Sequence, residues 1–252
     1  MKKIGVVVLV TTLASSLFAH DLWVWGTQDK KLNVDMIYGH HFPAPEKIAD
    51  ERVSLFEPVK VIGEKETLSL KQVGEEAYHY EGDKLSKGAY LLNAYYKATP
   101  WIKTANGEWA MGKTRKDAKD VELCLIATMQ GKALISVDGG DGKIISKTLD
   151  RGLEITPMFD SLKDIKEGKL LKFKLTLNGK AVKQAEVFGS YGGYASNDMA
   201  SAAFAKTDLN GEFEFRPLKK GLWYLKSVVK NPTNDKDCET YQDKTTLIFE
   251  VK

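Results

Sequence analysis

This 252-residue sequence is poor in cysteine, histidine and proline, with two, four and seven. Two cysteines, Cys124 and Cys238, exclude a disulfide-dense scaffold, so the fold has to rest on an apolar core. They lack the CxxC spacing of a thiolate zinc site. A single disulfide between them is the expected state in an oxidising compartment. No GxSxG, HExxH, P-loop or GxGxxG occurs, so nothing points to an enzyme and a non-enzymatic role is expected. After residue 18 no apolar run approaches the roughly 20 residues that a membrane-spanning helix needs. Charge of either sign is not in excess: the formal net charge is +3.

The one apolar run lies at the start. Lys2 and Lys3 precede Ile4 to Phe18, and Ala19 supplies a small residue at its end. This is the pattern of a secretory signal peptide over residues 1–19, cleaved after Ala19. Cleavage removes two lysines and no acid, leaving +1. A near-neutral mature chain argues against nucleic acid as a partner. The expected protein is exported, periplasmic and without a membrane span in its mature form. About 230 mature residues suffice for one large core or two smaller ones.

Strand patterns dominate. "KLNVDMIYG" alternates Leu32, Val34, Met36 and Tyr38 on one face. "RVSLFEPVKVIG" and "ETLSLKQVG" read as strands meeting at "GEKE". In "RKDAKDVELCLIATMQ", Val121, Cys124, Leu125 and Met129 follow helical spacing, which predicts one short helix. Pro157 and turn residues between 148 and 168 suggest a boundary. Beyond it, "LLKFKLTLNGKAVKQAEV" is a strand, an Asn-Gly turn and a second strand. The expected fold class is all-β: two β-sandwich domains over residues 20–155 and 160–252. "LTLNGKAVKQAEV", "AKTDLNGEFEF" and "KKGLWYLKSV" make the second half resemble transthyretin-like or carboxypeptidase-regulatory-like, Ig-like sandwiches.

Cleavage after Ala19 would make His20 the first residue. A terminal histidine offers its α-amine and ring Nδ1 to one ion, and the amine, with a pKa near 8, gives up its proton readily at neutral pH. Such nitrogen donors suit nickel, cobalt, copper and zinc. Further ligands are expected from "YGHHFPAPE". His40 and His41 are neighbours on an extended chain and point to opposite faces, so both can reach one ion only if the backbone turns at Gly39 or Pro43. His40 is favoured, then His41; His79, in "AYHYE", is a weaker candidate. Asp21 could orient a ligand ring from behind. Met111 would offer a soft thioether, although packing explains it as well. "DGGDG" and "DLNG" lack the spacing of calcium loops and read as turns.

The opening "AHDLWVWG", the segment "GHHFPAPEKI" and the ending "GLWYLKSVVKN…YQDKTTLIFEVK" together resemble the periplasmic components of cobalt/nickel uptake systems, the CbiK- or NikK-like proteins. The resemblance implies capture of nickel or cobalt for delivery to an inner-membrane metal transporter; positions on the ion that the protein leaves open could be filled by water or by a small chelator carried with the metal. It also implies His20 and His40 as ligands. This chain carries His41 where a proline is common, which keeps both His40 and His41 open. Two other readings compete. One is a structural or interaction sandwich that binds protein or glycan. The other is a copper-handling protein in which His20 and a second histidine form a brace.

Overall fold

The computed structural model describes residues 20–195 and 200–252. The expected signal peptide lies outside the described residues. In the first half, the strands are β1 (Asp21–Gln28), β2 (Leu32–Gly39), β3 (Lys60–Ile62), β4 (Thr67–Ser69), β5 (Lys71–Gln72), β6 (His79–Gly82), β7 (Gly88–Thr104), β8 (Trp109–Met111) and β9 (Val121–Val137). The second half contributes β10 (Leu153–Pro157), β11 (Leu171–Leu177), β12 (Lys180–Ala181), β13 (Glu186–Tyr191), β14 (Ala203–Lys206), β15 (Glu212–Phe215), β16 (Gly221–Pro232) and β17 (Thr240–Val251). A one-turn helix, α1 (Asp50–Val53), and two 3-10 turns complete the elements. None of the described helices is long and apolar enough to cross a membrane.

The molecule is all-β, as the alternation predicts. A nine-stranded sheet runs β14-β13-β16-β17-β9-β7-β3-β4, with β8 added on β7. The sheet β1-β2-β6-β5 covers one of its faces. The sheet β10-β11-β12, with β15 also on β11, covers the other. Because successive side chains on a strand face opposite ways, the long central strands feed both layers. On β7, Leu92, Ala94 and Tyr96 enter the first core and Ala89 and Leu91 the second. On β17, Ile248 enters the first, and Leu247, Phe249 and Val251 the second.

Two expectations are corrected here. The helix expected around Val121–Met129 is part of the 17-residue strand β9. Held between β7 and parallel β17, β9 buries both faces, which blurs its period of two. The two sandwich cores lie on opposite faces of one shared nine-stranded sheet. The joint is the parallel pairing of β17 with β9, from Thr240↔Leu125 to Ile248↔Ala133. The expected boundary falls just behind β10, which itself pairs with β11. Finally, residues 50–58 form α1 and an isolated bridge, and only Lys60–Ile62 of that stretch is a strand.

Other local readings agree with the structure. Leu32, Val34, Met36 and Tyr38 are all buried. Asn178 and Gly179, both at positive φ, turn β11 into β12. Cys124 and Cys238 form a disulfide. Asp141 accepts from the Ser161 hydroxyl and the Leu162 amide, and Asp208 from the amides of Asn210 and Glu212, so both acidic loops are closed turns.

Candidate metal centre

The first hairpin builds the centre. β1 pairs with β2 in a register that sets Asp21 opposite Gly39 and Leu22 opposite Tyr38. One step further along the same register brings His20 opposite His40. Residues directly opposite on antiparallel strands hold their Cβ atoms within about 5 Å. The two imidazole centroids are 4.1 Å apart, and His20 stacks on Tyr38 at 4.8 Å.

Glu46 is the third member. The chain leaves β2, turns through the cis Phe42-Pro43 peptide and returns, closed by the Ala44 amide donating to the His41 carbonyl at 2.7 Å. The Glu46 carboxylate then accepts from the His40 amide at 3.2 Å. Gly39 makes room for it: a Cβ at that position would lie 2.6 Å from the Glu46 carboxyl carbon. One potential ligand atom from each of His20, His40 and Glu46 lies within 4.8 Å of the others.

The seat of His20 is fixed from below. Gly131 of β9 lets the β1 backbone pass close over the central sheet; a Cβ there would sit 2.9 Å from the Leu22 carbonyl. The Thr246 hydroxyl donates to that carbonyl at 2.5 Å, and the Lys244 ammonium donates to the His20 carbonyl at 2.8 Å. Asp21 is buried and accepts from Lys226 at 2.9 Å, with Lys244 at 3.7 Å. It therefore anchors the strand through two lysines, where the sequence suggested a partner for a ligand ring.

Burial, then the neighbouring His40 and Arg52, pull the His20 ring down to a pKa of about 4. At neutral pH it is uncharged, the form that donates a lone pair to a metal. Its Nδ1 is buried and has no hydrogen-bond partner among the described residues. A buried polar nitrogen without a partner is costly unless something else satisfies it. Tyr38, behind His20, is pushed up to about 12, chiefly by burial, so it stays a neutral phenol.

The remaining candidates fall elsewhere. His41 is exposed, with its centroid 6.3 Å from that of His40, and it is not among the three clustered residues. His79 is on β6, where its Nδ1 meets Asp35 at 2.6 Å. Asp35 is five residues from His40 along β2, roughly 16 Å at 3.3 Å per residue, so His79 lies away from the centre. Met111 packs against the first core. Glu46 was missed in the sequence. The signal was present as a glycine before His40 and an acid six residues after it, but only the folded loop joins them.

The chain matches the family described as "Domain of unknown function (DUF4198)" over residues 17–231. It belongs to that family. Among curated proteins none matches it. A solved DUF3823 family protein from Bacteroides uniformis is similar at 10% identity and a TM-score of 0.23, covering 82% of this chain and 92% of its own.

Proposed function

We propose that this DUF4198 chain is an exported binding protein that captures a divalent transition metal, nickel or cobalt in the first place. One observation carries the reading: His20, His40 and Glu46 converge within 4.8 Å, around a buried His20 Nδ1 that has no partner among the described residues. Cleavage after Ala19 would add the His20 α-amine beside that ring, closing a chelate of amine and imidazole. With the His40 imidazole and the Glu46 carboxylate, the ion would meet three nitrogens and one oxygen. That donor set suits nickel, cobalt, copper or zinc, and is too rich in nitrogen for calcium or magnesium. The resemblance to cobalt/nickel uptake components supports delivery of the ion to an inner-membrane transporter.

Intact-mass measurement of the exported protein tests the premise, with His20 expected as the first residue. Calorimetric titration with Ni²⁺, Co²⁺, Cu²⁺ and Zn²⁺ tests the rest. One extra glycine before His20 should collapse the affinity, and so should His40→Ala. Undiminished binding by both variants would overturn the proposal. Copper is expected to bind more tightly than nickel in any such nitrogen site, so the metal carried in the cell follows from supply as well as affinity.

A further inference from the structure

Two loops lie side by side where β11 begins and β15 passes into β16: residues 166–170, "KEGKL", and 216–220, "RPLKK". Hydrogen bonds tie them together. The Gly168 amide donates to the Pro217 carbonyl at 2.7 Å, and the Arg216 guanidinium donates to the Gly168 carbonyl at 2.7 Å. Each loop exposes a leucine, Leu170 at 43% and Leu218 at 68%. Met158, whose amide donates to the Lys172 carbonyl beside them, is 44% exposed. Scattered single apolar side chains are ordinary on a surface, whereas a group of them at one end calls for a reason.

The charge around these leucines is of one sign. Five of the ten loop residues are basic, against 37 of 252 in the chain, so a small net charge conceals a local concentration. Lys169 is engaged by Asp164 at 2.5 Å. Lys166, Arg216, Lys219 and Lys220 have no ion pair among the described residues, and Glu167 is the one acid within the two loops. An anionic partner is the complement. Lysine is depleted in protein–protein interfaces, where aromatic residues and arginine concentrate. Leucines set among long basic side chains suit lipid better: the apolar side chains enter the headgroup region while the ammonium groups stay at its anionic surface.

We propose that this end of the molecule is a docking surface for a bilayer that contains anionic lipids. Hydrogen bonding between the loops presents both leucines together, so little ordering is left to be done on contact. Lys219 also lies 4.9 Å over the Tyr191 ring, and Tyr191 lines one cleft with His40. A molecule seated on these loops would therefore carry the candidate metal centre near the lipid. The lipid contact stands apart from the metal reading; its use in handing an ion to a membrane transporter rests on that reading.

The test is co-sedimentation of the chain from His20 onward with vesicles of phosphatidylcholine alone or with one-third phosphatidylglycerol. Binding is expected to the anionic vesicles only, and to weaken as salt shortens the screening length. Lys166→Gln with Lys220→Gln removes two unpaired charges and should weaken it about 25-fold, at about fivefold for each charge near an anionic surface. Leu218→Asn should weaken it about tenfold, the scale for burying one leucine. Unchanged urea midpoints would show that both variants keep the fold; should either lose it, Leu218→Ala and Lys220→Gln singly give the same reading. Absence of binding, equal binding to both vesicles, or binding that neither change weakens would overturn the inference. So would capture of poly-L-glutamate without capture of vesicles, which would assign the loops to an acidic protein. Ni²⁺ titration of the same variants should be unaltered, so failure here leaves the metal centre standing.

Discussion

Gly39→Ala separates the fold from the proposed site. A Cβ at residue 39 would lie 2.6 Å from the Glu46 carboxyl carbon and 3.2 Å from its Cγ. Every close atom belongs to a flexible side chain, so Glu46 can swing away and β2 need not move. Alanine in place of a strand glycine also lowers the entropy of the unfolded chain, by about 0.4–1 kcal/mol. Against that stands the lost bond from the His40 amide to the half-buried carboxylate, worth about 1 kcal/mol. Stability should therefore change by less than about 1 kcal/mol, while the metal loses one ligand. Removing even an outer partner of a metal site typically costs about 10–100-fold in affinity, so losing a direct ligand should cost at least that, about 1.4–2.8 kcal/mol. Glu46→Ala should cost the same, and the double variant no more than either alone, because both changes delete one interaction. Calorimetry with Ni²⁺ on the four proteins, beside their urea midpoints, closes the cycle. Fully additive losses, or wild-type affinity in both single variants, would refute the assignment of Glu46.

Three further outcomes concern the frame that carries the site. Lys132 and Glu154 form a fully buried ion pair, and Glu154 also accepts from the Leu149 and Asp150 amides. Lys132→Met should cost about 3–5 kcal/mol in urea unfolding, and adding Glu154→Gln should recover a large part; a loss below 1 kcal/mol in the single variant would contradict the burial argument. The disulfide spans 114 residues, so Cys124→Ser should lower stability by up to about 5 kcal/mol on the chain-entropy account, read as a lower melting temperature that reductant no longer changes. Glu239 is held at a pKa of about 2, first by the Arg115 guanidinium and also by the Cys124 amide. Its contribution is full above the ordinary carboxylate value of 4.5 and disappears as pH falls toward 2. Glu239→Gln should flatten the acid limb of a melting-temperature profile over that interval, and an unchanged limb would show that the pair is uncoupled from folding.

The sequence was most informative where local geometry decides the outcome. Strand periodicity at Leu32–Tyr38 and the Asn178-Gly179 turn follow from short-range sterics, and both stand in the structure. His20 and His40 could be chosen because residue type and position name them. Their meeting depends on the pairing register of β1 with β2, which is set across the three-residue loop between Gln28 and Leu32 and not by the periodicity of either strand. Glu46 reaches the pair through a loop whose path no periodicity records. The helix expected near Cys124 shows the converse error: a strand buried on both faces loses its alternation and imitates another repeat. The shared sheet was illegible for a related reason. A parallel contact between residues 125 and 240 leaves no local mark on either strand.

The grip of β17 on the start of the chain has a kinetic side. Lys244 and Thr246 hold the carbonyls of His20 and Leu22 across a separation of 224 residues. In a chain exported amino end first, as proposed above, both histidines would emerge long before the strand that seats them. Closing so long a loop is entropically slow. The proposed ion capture should therefore be among the last properties such a molecule acquires, and a prematurely stopped chain would keep the proposed ligands yet lack the floor on which they converge.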